Sequence, residues 1–213
     1  MEKFSVIIPT MWECKYITPL LERLSQCESV GEIILIDNTD YILYPGMGWD
    51  FPKVELVKEM VNTYVNPAWN KGVSMAKNDY ITICNDDVLF DVDEYFNYLT
   101  QAFNVLDIGF IGSHSENYND EEKLYAEIET YNNKTNTGGW GCLFSFNKSI
   151  WKPIPDQLKI WYGDNWIHGT NPNIFQLKGM SITTKMSTSS DMMSVRPTRD
   201  NDTIEWMKII NNK

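Results

Sequence analysis

The sequence predicts an α/β fold with a mostly parallel central sheet flanked by helices, and three observations carry that reading. Short apolar, β-branched runs alternate with stretches of helical periodicity. The first two runs and the helix between them have the spacing of a βαβ unit, whose strands lie parallel. A later run, Tyr80-Ile-Thr-Ile-Cys, breaks into the polar triplet Asn85-Asp86-Asp87 and turns apolar again at Val88. A buried strand that carries carboxylates to the rim of an open sheet has this look, and the rim is where such sheets bind ligands.

Each element follows from its residues. Residues 4–10 are an apolar run that meets a proline, and form the first strand. Ile17, Leu20, Leu21 and Leu24 recur at helical spacing, giving an amphipathic helix to about Cys27. Residues 32–37 are the second strand, ending at Asp37-Asn38. Residues 39–53, with Tyr41, Pro45, Gly46, Gly48 and Pro52, read as a loop, and 54–57 as a short third strand. Asn66-Pro67 is a cap followed by proline at the first helical position, with Trp69, Val73 and Ala76 on one face and Asn78 at the end. After the strand from Tyr80, Asp93 caps a helix carrying Phe96, Leu99, Phe103 and Leu106, and 108–111 add a strand. Residues 116–129 are acidic and loop-like. Gly138 to Gly141 open an apolar run through Phe146. Asn171-Pro172 starts a helix closed by Gly179, and a last helix over 203–210 places Trp206, Ile209 and Ile210 on one side. No repeat or low-complexity linker divides the chain, so 1–213 reads as one domain.

Composition narrows the function. The chain of 213 residues is 43% hydrophobic and 22% charged, ordinary for a soluble globular protein able to bury a core without staples. No apolar run reaches the length of a bilayer span, so no transmembrane segment is expected. The N-terminus lacks the layout of a signal peptide, and the reading is cytoplasmic. Cys14, Cys27, Cys84 and Cys142 form no Cys-x-x-Cys pair and read as reduced residues. With His114 and His168 as the only histidines, a multi-histidine metal site is excluded. A net charge of -11 argues against nucleic acid, whose affinity rests on neutralised phosphates. A small anionic ligand stays compatible, because a metal or a helix N-terminus binds phosphate locally.

Asp86-Asp87 points to chemistry. Two adjacent carboxylates at a strand end are costly to desolvate unless something positive sits there. A hard divalent cation carrying phosphate oxygens supplies that charge. A plain acidic turn is the alternative.

Three blocks, in order, give the chain a resemblance to inverting family 2 glycosyltransferases with the GT-A fold. Residues 4–10 and 32–38 are similar to that family's opening strand and its Asp-containing second strand. Asn70-Lys-Gly72, Ala76, Tyr80 and Asn85-Asp86-Asp87-Val88 resemble its Asp-x-Asp region in an Asn-Asn-Asp-Val variant. Residues 138–149, then Tyr162-Gly-Asp-Asn-Trp166, resemble its glycine-led acceptor-side strand and later Glu-Asp motif. The blocks span about residues 4–180 of this sequence.

The resemblance implies a GT-A catalytic domain over 1–213. It would move a sugar from a nucleotide-diphosphate sugar, with a UDP-sugar favoured, to an acceptor hydroxyl with inversion. Thr10, Asp37, Asn38, Asn70, Gly72, Asn85 and Asp86 would line the nucleotide, and Asp87 would ligate Mn2+ or Mg2+. For Asp37 an Asx-type turn is the alternative, and for Gly72 helix packing alone. The family often has Asp where Asn85 stands, which leaves metal ligation resting on Asp87. Asp164 falls at the catalytic base, although Gly163 replaces the usual preceding Glu; a helix cap is the alternative. Trp140, Trp161 and Trp166 would contact acceptor or sugar. His168, four residues after Asp164, would orient it or reach the metal, with a satisfied histidine as the alternative. The histidine often found after the late strand at 179–189 is absent, and Asp191 could substitute. The acceptor would be a glycan, a lipid-linked sugar or another hydroxyl, a modified DNA base included. Two further readings stand beside this one. A nucleotidyltransferase usually opens with a glycine-rich basic loop, where this chain has Pro9-Thr-Met-Trp-Glu13. A non-catalytic nucleotide- or sugar-binding module is motivated by Asn85 and Gly163.

Overall fold

Residues 4–10 and the run ending at Asp37 become neighbouring parallel strands, β1 (Phe4–Thr10) and β2 (Val30–Asp37), joined through helix α1 (Ile17–Gln26). The structure, a computed structural model, describes residues 2–40, 51–105, 107–118, 126–136, 138–185 and 195–212. β3 (Val54–Lys58) adds to β2 in parallel. After helix α2 (Val65–Met75), β4 (Tyr80–Cys84) pairs in parallel with the free side of β1. Beyond the short β5 (Val88–Leu89) and helix α3 (Val92–Val105) come β6 (Phe110–Ser113), β7 (Glu127–Thr130) and β8 (Leu143–Asn147). Helix α4 (Gly163–Thr170), β9 (Ile174–Lys178), β10 (Thr183–Thr184) and helix α5 (Arg196–Asn211) complete the described chain. The main sheet runs β3-β2-β1-β4-β8-β6-β9-β7, and β5 pairs with β10. Four of its seven pairings are parallel; the antiparallel ones all involve β8 or β7.

The inner parallel strands β1, β2 and β4 are largely apolar on both faces because both faces are covered. Phe4, Val6 and Ile8 pack with Leu20, Leu21 and Leu24 of α1 and with Phe96 and Leu99 of α3. Ile7, Ile34 and Ile36 point the other way, onto Ala68, Trp69 and Val73 of α2. Alternation along each strand therefore feeds two cores.

Several expectations are corrected. The segment after Asn171-Pro172 is strand β9, not a helix. Its Ile174 and Leu177 are buried, and β6 and β7 flank it with ladder partners from distant parts of the chain. The acidic stretch at 116–129 is not all loop. Ser115–Asn117 is a 3-10 turn and 127–130 is edge strand β7, where Glu129 pairs with Lys178 at 2.7 Å. Asn66 does not cap α2. Tyr64, at φ +69°, holds the position before the helix, and Asn66 lies buried inside its first turn. Asp91, rather than Asp93, takes an early α3 amide, accepting from Glu94 at 2.9 Å. The last helix starts earlier than 203, and Ile210 on it is 41% exposed while Trp206 and Ile209 pack inward. The four cysteines are free. No helix among the described residues is long and apolar enough to cross a membrane.

Candidate active site

β2, β1 and β4 lie side by side and parallel, so their C-terminal ends form one rim. There Asn38, Thr10 and the Asn85-Asp86-Asp87 turn line a cleft of about 490 Å³. The other wall is the segment entering α4, with Trp161, Tyr162, Gly163 and Asp164.

The Thr10 hydroxyl donates to Asp86 Oδ2 at 2.7 Å and accepts the Trp12 amide at 2.9 Å. Asn38 is pinned by Thr63, whose hydroxyl donates to its Oδ1 at 2.8 Å. Burial pushes the Asp86 carboxyl up to about 6, with the neighbouring Asp87 charge adding to it and the Thr10 bond opposing. Burial raises Asp87 as well, against bonds from its own backbone amide and Thr184. Its Oδ1 is buried with no hydrogen-bond partner among the described residues. A buried carboxylate oxygen left unsatisfied is expensive, and a bound cation is one way to satisfy it. Among the described residues, no group of three or more His, Cys, Asp or Glu side chains could hold a metal ion. The Asp86-Asp87 pair fits a cation of the kind that takes its other ligands from phosphate and water.

On the opposite wall, Tyr162 adopts φ +67° and turns the chain into α4. Gly163 has a steric reason: a Cβ there would lie 2.3 Å from Asn66 Oδ1 and 3.1 Å from the Trp69 ring. Asp164 sits in the first turn of α4 and accepts the Asn165 amide at 3.0 Å; the residue at the N-cap position, Tyr162, makes no side-chain cap bond. Gly141 faces Asp164, and a Cβ on the glycine would lie 3.6 Å from Asp164 Cβ, in ordinary van der Waals contact.

The cleft thus gathers Thr10, Asn38, Asn85, Asp86, Asp87, Trp161 and Asp164. Other candidates lie away from its lining. Asp37 turns inward, accepting the Thr39 amide at 2.9 Å and its hydroxyl at 2.8 Å, with Lys58 at 3.0 Å. That is the Asx-turn geometry. Burial works against its charge, but the bonds from Thr39, Trp12 and Lys58 prevail and hold its carboxyl below the usual range. Asn70 clasps the Ile154 backbone at 2.8 and 2.9 Å. Gly72 lets α2 approach β1, since a Cβ would fall 2.3 Å from Ile7 Cγ2. Trp140 is core, stacked on Phe144 with centroids 5.0 Å apart. Trp166 Nε1 donates to the Lys152 carbonyl at 3.2 Å. His168 lies between the Tyr131 and Trp140 rings, at 4.3 and 4.5 Å, its Nε2 buried and without a hydrogen-bond partner among the described residues. Burial lowers its pKa, favouring the neutral ring, and the Asp164 charge opposes. Asp191 lies outside the described residues.

Sequence reasoning missed Tyr64, Trp69 and Cys142 as lining residues, along with Arg199 from α5. Tyr162 sits inside the aromatic cluster that was already legible. Nothing local marks Arg199, which reaches the cleft only because α5 docks there, with its guanidinium 5.8 Å from the Trp161 ring.

A Rossmann-like half-sheet with a carboxylate pair at its rim, continued by a mixed second half, is the GT-A architecture of sugar-nucleotide enzymes. The sequence profile described as glycosyl transferase family 2 matches residues 5–169, and the chain belongs to that family. The fold is similar to the crystal structure of S. aureus TarS 1-349, with a TM-score of 0.63 and 15% identity, covering 87% of this chain and 61% of that one. It is similar as well to the same protein in complex with UDP (TM-score 0.64, 15% identity, 85% and 60% covered). With UDP-GlcNAc the figures are 0.61, 15%, 85% and 58%. The chain spans about three fifths of the length of these neighbours. No curated protein sequence matches it.

Proposed function

We propose that this cleft transfers a sugar from a nucleotide-diphosphate sugar to an acceptor hydroxyl with inversion. The observation that carries the reading is one cleft lined by the Asp86-Asp87 rim on one wall and Asp164 on the other. UDP and UDP-GlcNAc in the TarS structures support a UDP-sugar as donor. Asn38 and Thr10 offer polar groups to the base and ribose, and the Thr10 bond fixes Asp86 beside them. Asp87, with Asp86 adjacent, would hold Mn2+ or Mg2+, which when bound supplies positive charge to the leaving diphosphate. Asp164 takes the acceptor's hydroxyl proton as that oxygen attacks the anomeric carbon opposite the diphosphate. Trp161 offers an indole face to a sugar. Asp37, Asn70, Gly72, Trp140, Trp166 and His168 support the site from behind, through the contacts given above. The acceptor is a glycan, a lipid-linked sugar or another hydroxyl compound, met in the cytoplasm, and 1–213 acts as one catalytic domain.

Two measurements test this. UDP at a hundred times its dissociation constant should stabilise the protein by about 2.7 kcal/mol, more with Mn2+ than with chelator. Asp164→Asn should keep that shift while transfer falls about 100-fold or more. Absence of any nucleotide shift would sink the donor assignment. Near-wild-type turnover in the variant would remove Asp164 from the mechanism. Nucleotide binding with no transfer to any acceptor would favour the binding-module reading.

A further inference from the structure

We propose that Asp202 is a positioning residue, holding the segment that delivers Trp161 and Asp164 to the cleft; this rests on the assignment of Asp164 as base. Asp202 is fully buried (0% exposed), on a helix whose other described residues are half-buried or exposed. A buried carboxylate is costly unless its oxygens are satisfied. Here the satisfaction comes from three consecutive backbone amides. Oδ2 accepts from Lys159 at 3.1 Å, Ile160 at 2.8 Å and Trp161 at 3.0 Å, and Oδ1 accepts again from Lys159 at 3.0 Å. Charge-assisted bonds of this kind are about twice as strong as neutral ones.

The same segment is gripped from its other side. Asn66 Nδ2 donates to the Leu158 and Trp161 carbonyls, both at 3.2 Å, and the Asn66 amide donates to the Lys159 carbonyl at 3.0 Å. Tyr162 then stacks on Trp206 of α5, centroids 5.4 Å apart and planes 7° from parallel, while its hydroxyl meets Thr203 Oγ1 at 3.0 Å. Residues 158–162 are therefore tied to α2 and α5 at once, and Asp164 follows two residues later. With Asp202 removed, three amides lose their acceptor and, among the described residues, the α5 side of the grip keeps the Tyr162 contacts and the Arg199 guanidinium over the Trp161 ring. Thr10, Asn38, Asp86 and Asp87 sit on strand ends that Asp202 does not touch. Loss of Asp202 should therefore slow turnover and spare donor binding.

The test is steady-state transfer with Asp202→Ala and Asp202→Asn, alongside the UDP and Mn2+ thermal shift. Misplacing a catalytic group by about an ångström can cost 100-fold, so Asp202→Ala should lower kcat about tenfold or more. Its donor KM should stay within about twofold of wild type, the signature of an interaction that acts on the reaction step. Asp202→Asn keeps one oxygen for the Ile160 and Trp161 amides but loses the charge, so its kcat should fall between the two, by about threefold or more. If the alanine variant does not fold, the asparagine variant decides by the same criterion. Wild-type kcat in whichever variant folds overturns the proposal, as does parallel loss of kcat and the UDP shift, which marks a merely structural residue. Asp164→Asn is assayed beside them. An inactive Asp164→Asn with wild-type kcat in the Asp202 variants defeats this inference alone. An active Asp164→Asn with low kcat in those variants defeats the base assignment, and leaves the positioning of the segment by Asp202 standing.

Discussion

Ionised Asp86 is under strain in the ligand-free protein, and Asp86→Asn should expose it. Burial pushes the Asp86 carboxyl from the ordinary 3.8 up to about 6. At 1.36 kcal/mol per unit, keeping it charged above that pH costs about 3 kcal/mol. Because the folded pKa lies above the unfolded one, the native state binds more protons between them. Stability through this group is therefore greatest below about pH 4 and declines as pH rises to about 6. Asparagine retains an oxygen for the Thr10 hydroxyl and carries no charge at any pH. In chelator at about pH 7.5, Asp86→Asn should melt higher than wild type by up to roughly 6–12 °C, at 2–4 °C per kcal/mol for a chain of this size. The gap should close toward about pH 4, where both are neutral at this position. Thermal melts of the two proteins across that range read the difference directly. A gap independent of pH, or a variant less stable than wild type at about pH 7.5, refutes the reasoning. Added Mn2+ and UDP should reverse the order, because the wild-type charge then has its counter-ion.

Asp87→Ala should fold and lose the extra UDP stabilisation that Mn2+ provides, measured as a thermal shift; an unfolded variant would make Asp87 a structural turn instead. Gly72→Ala forces a methyl against Ile7, and overpacking of this kind costs about 1–3 kcal/mol. It should lower Tm by several degrees with the UDP shift intact. Unchanged Tm with a lost UDP shift would put Gly72 at the nucleotide after all.

The runs that form β1, β2 and β4 were legible because strands covered on both faces need continuous apolar sequence, and that signal is local. The carboxylate pair stood out for the same reason, as a polar break at the end of such a run. β9 was not legible. Its five residues became a strand because β6 and β7 flank it, and those partners lie dozens of residues away. Asn66 read as a cap from its proline neighbour, yet its amide is spent on Leu158 and Trp161 across the molecule.

Residue type and spacing were enough to establish the fold class and the order of its first strands. The acidic rim stood out in the same way, as a polar break within a few residues of an apolar run, whereas Asp164 was singled out only through the resemblance to the family's later Glu-Asp motif. Which of two adjacent polar residues faces the cleft was a matter of three-dimensional packing. Asp37 is drawn inward by Thr39 and Lys58 while Asn38 stays on the rim. Packing also gave three tryptophans three different fates: Trp140 in the core, Trp161 at the cleft and Trp166 bonded to Lys152. The role of α5 belongs to the same category. A buried carboxylate that gathers amides from 41 to 43 positions away has no local signature, since its partners are backbone groups that every residue carries.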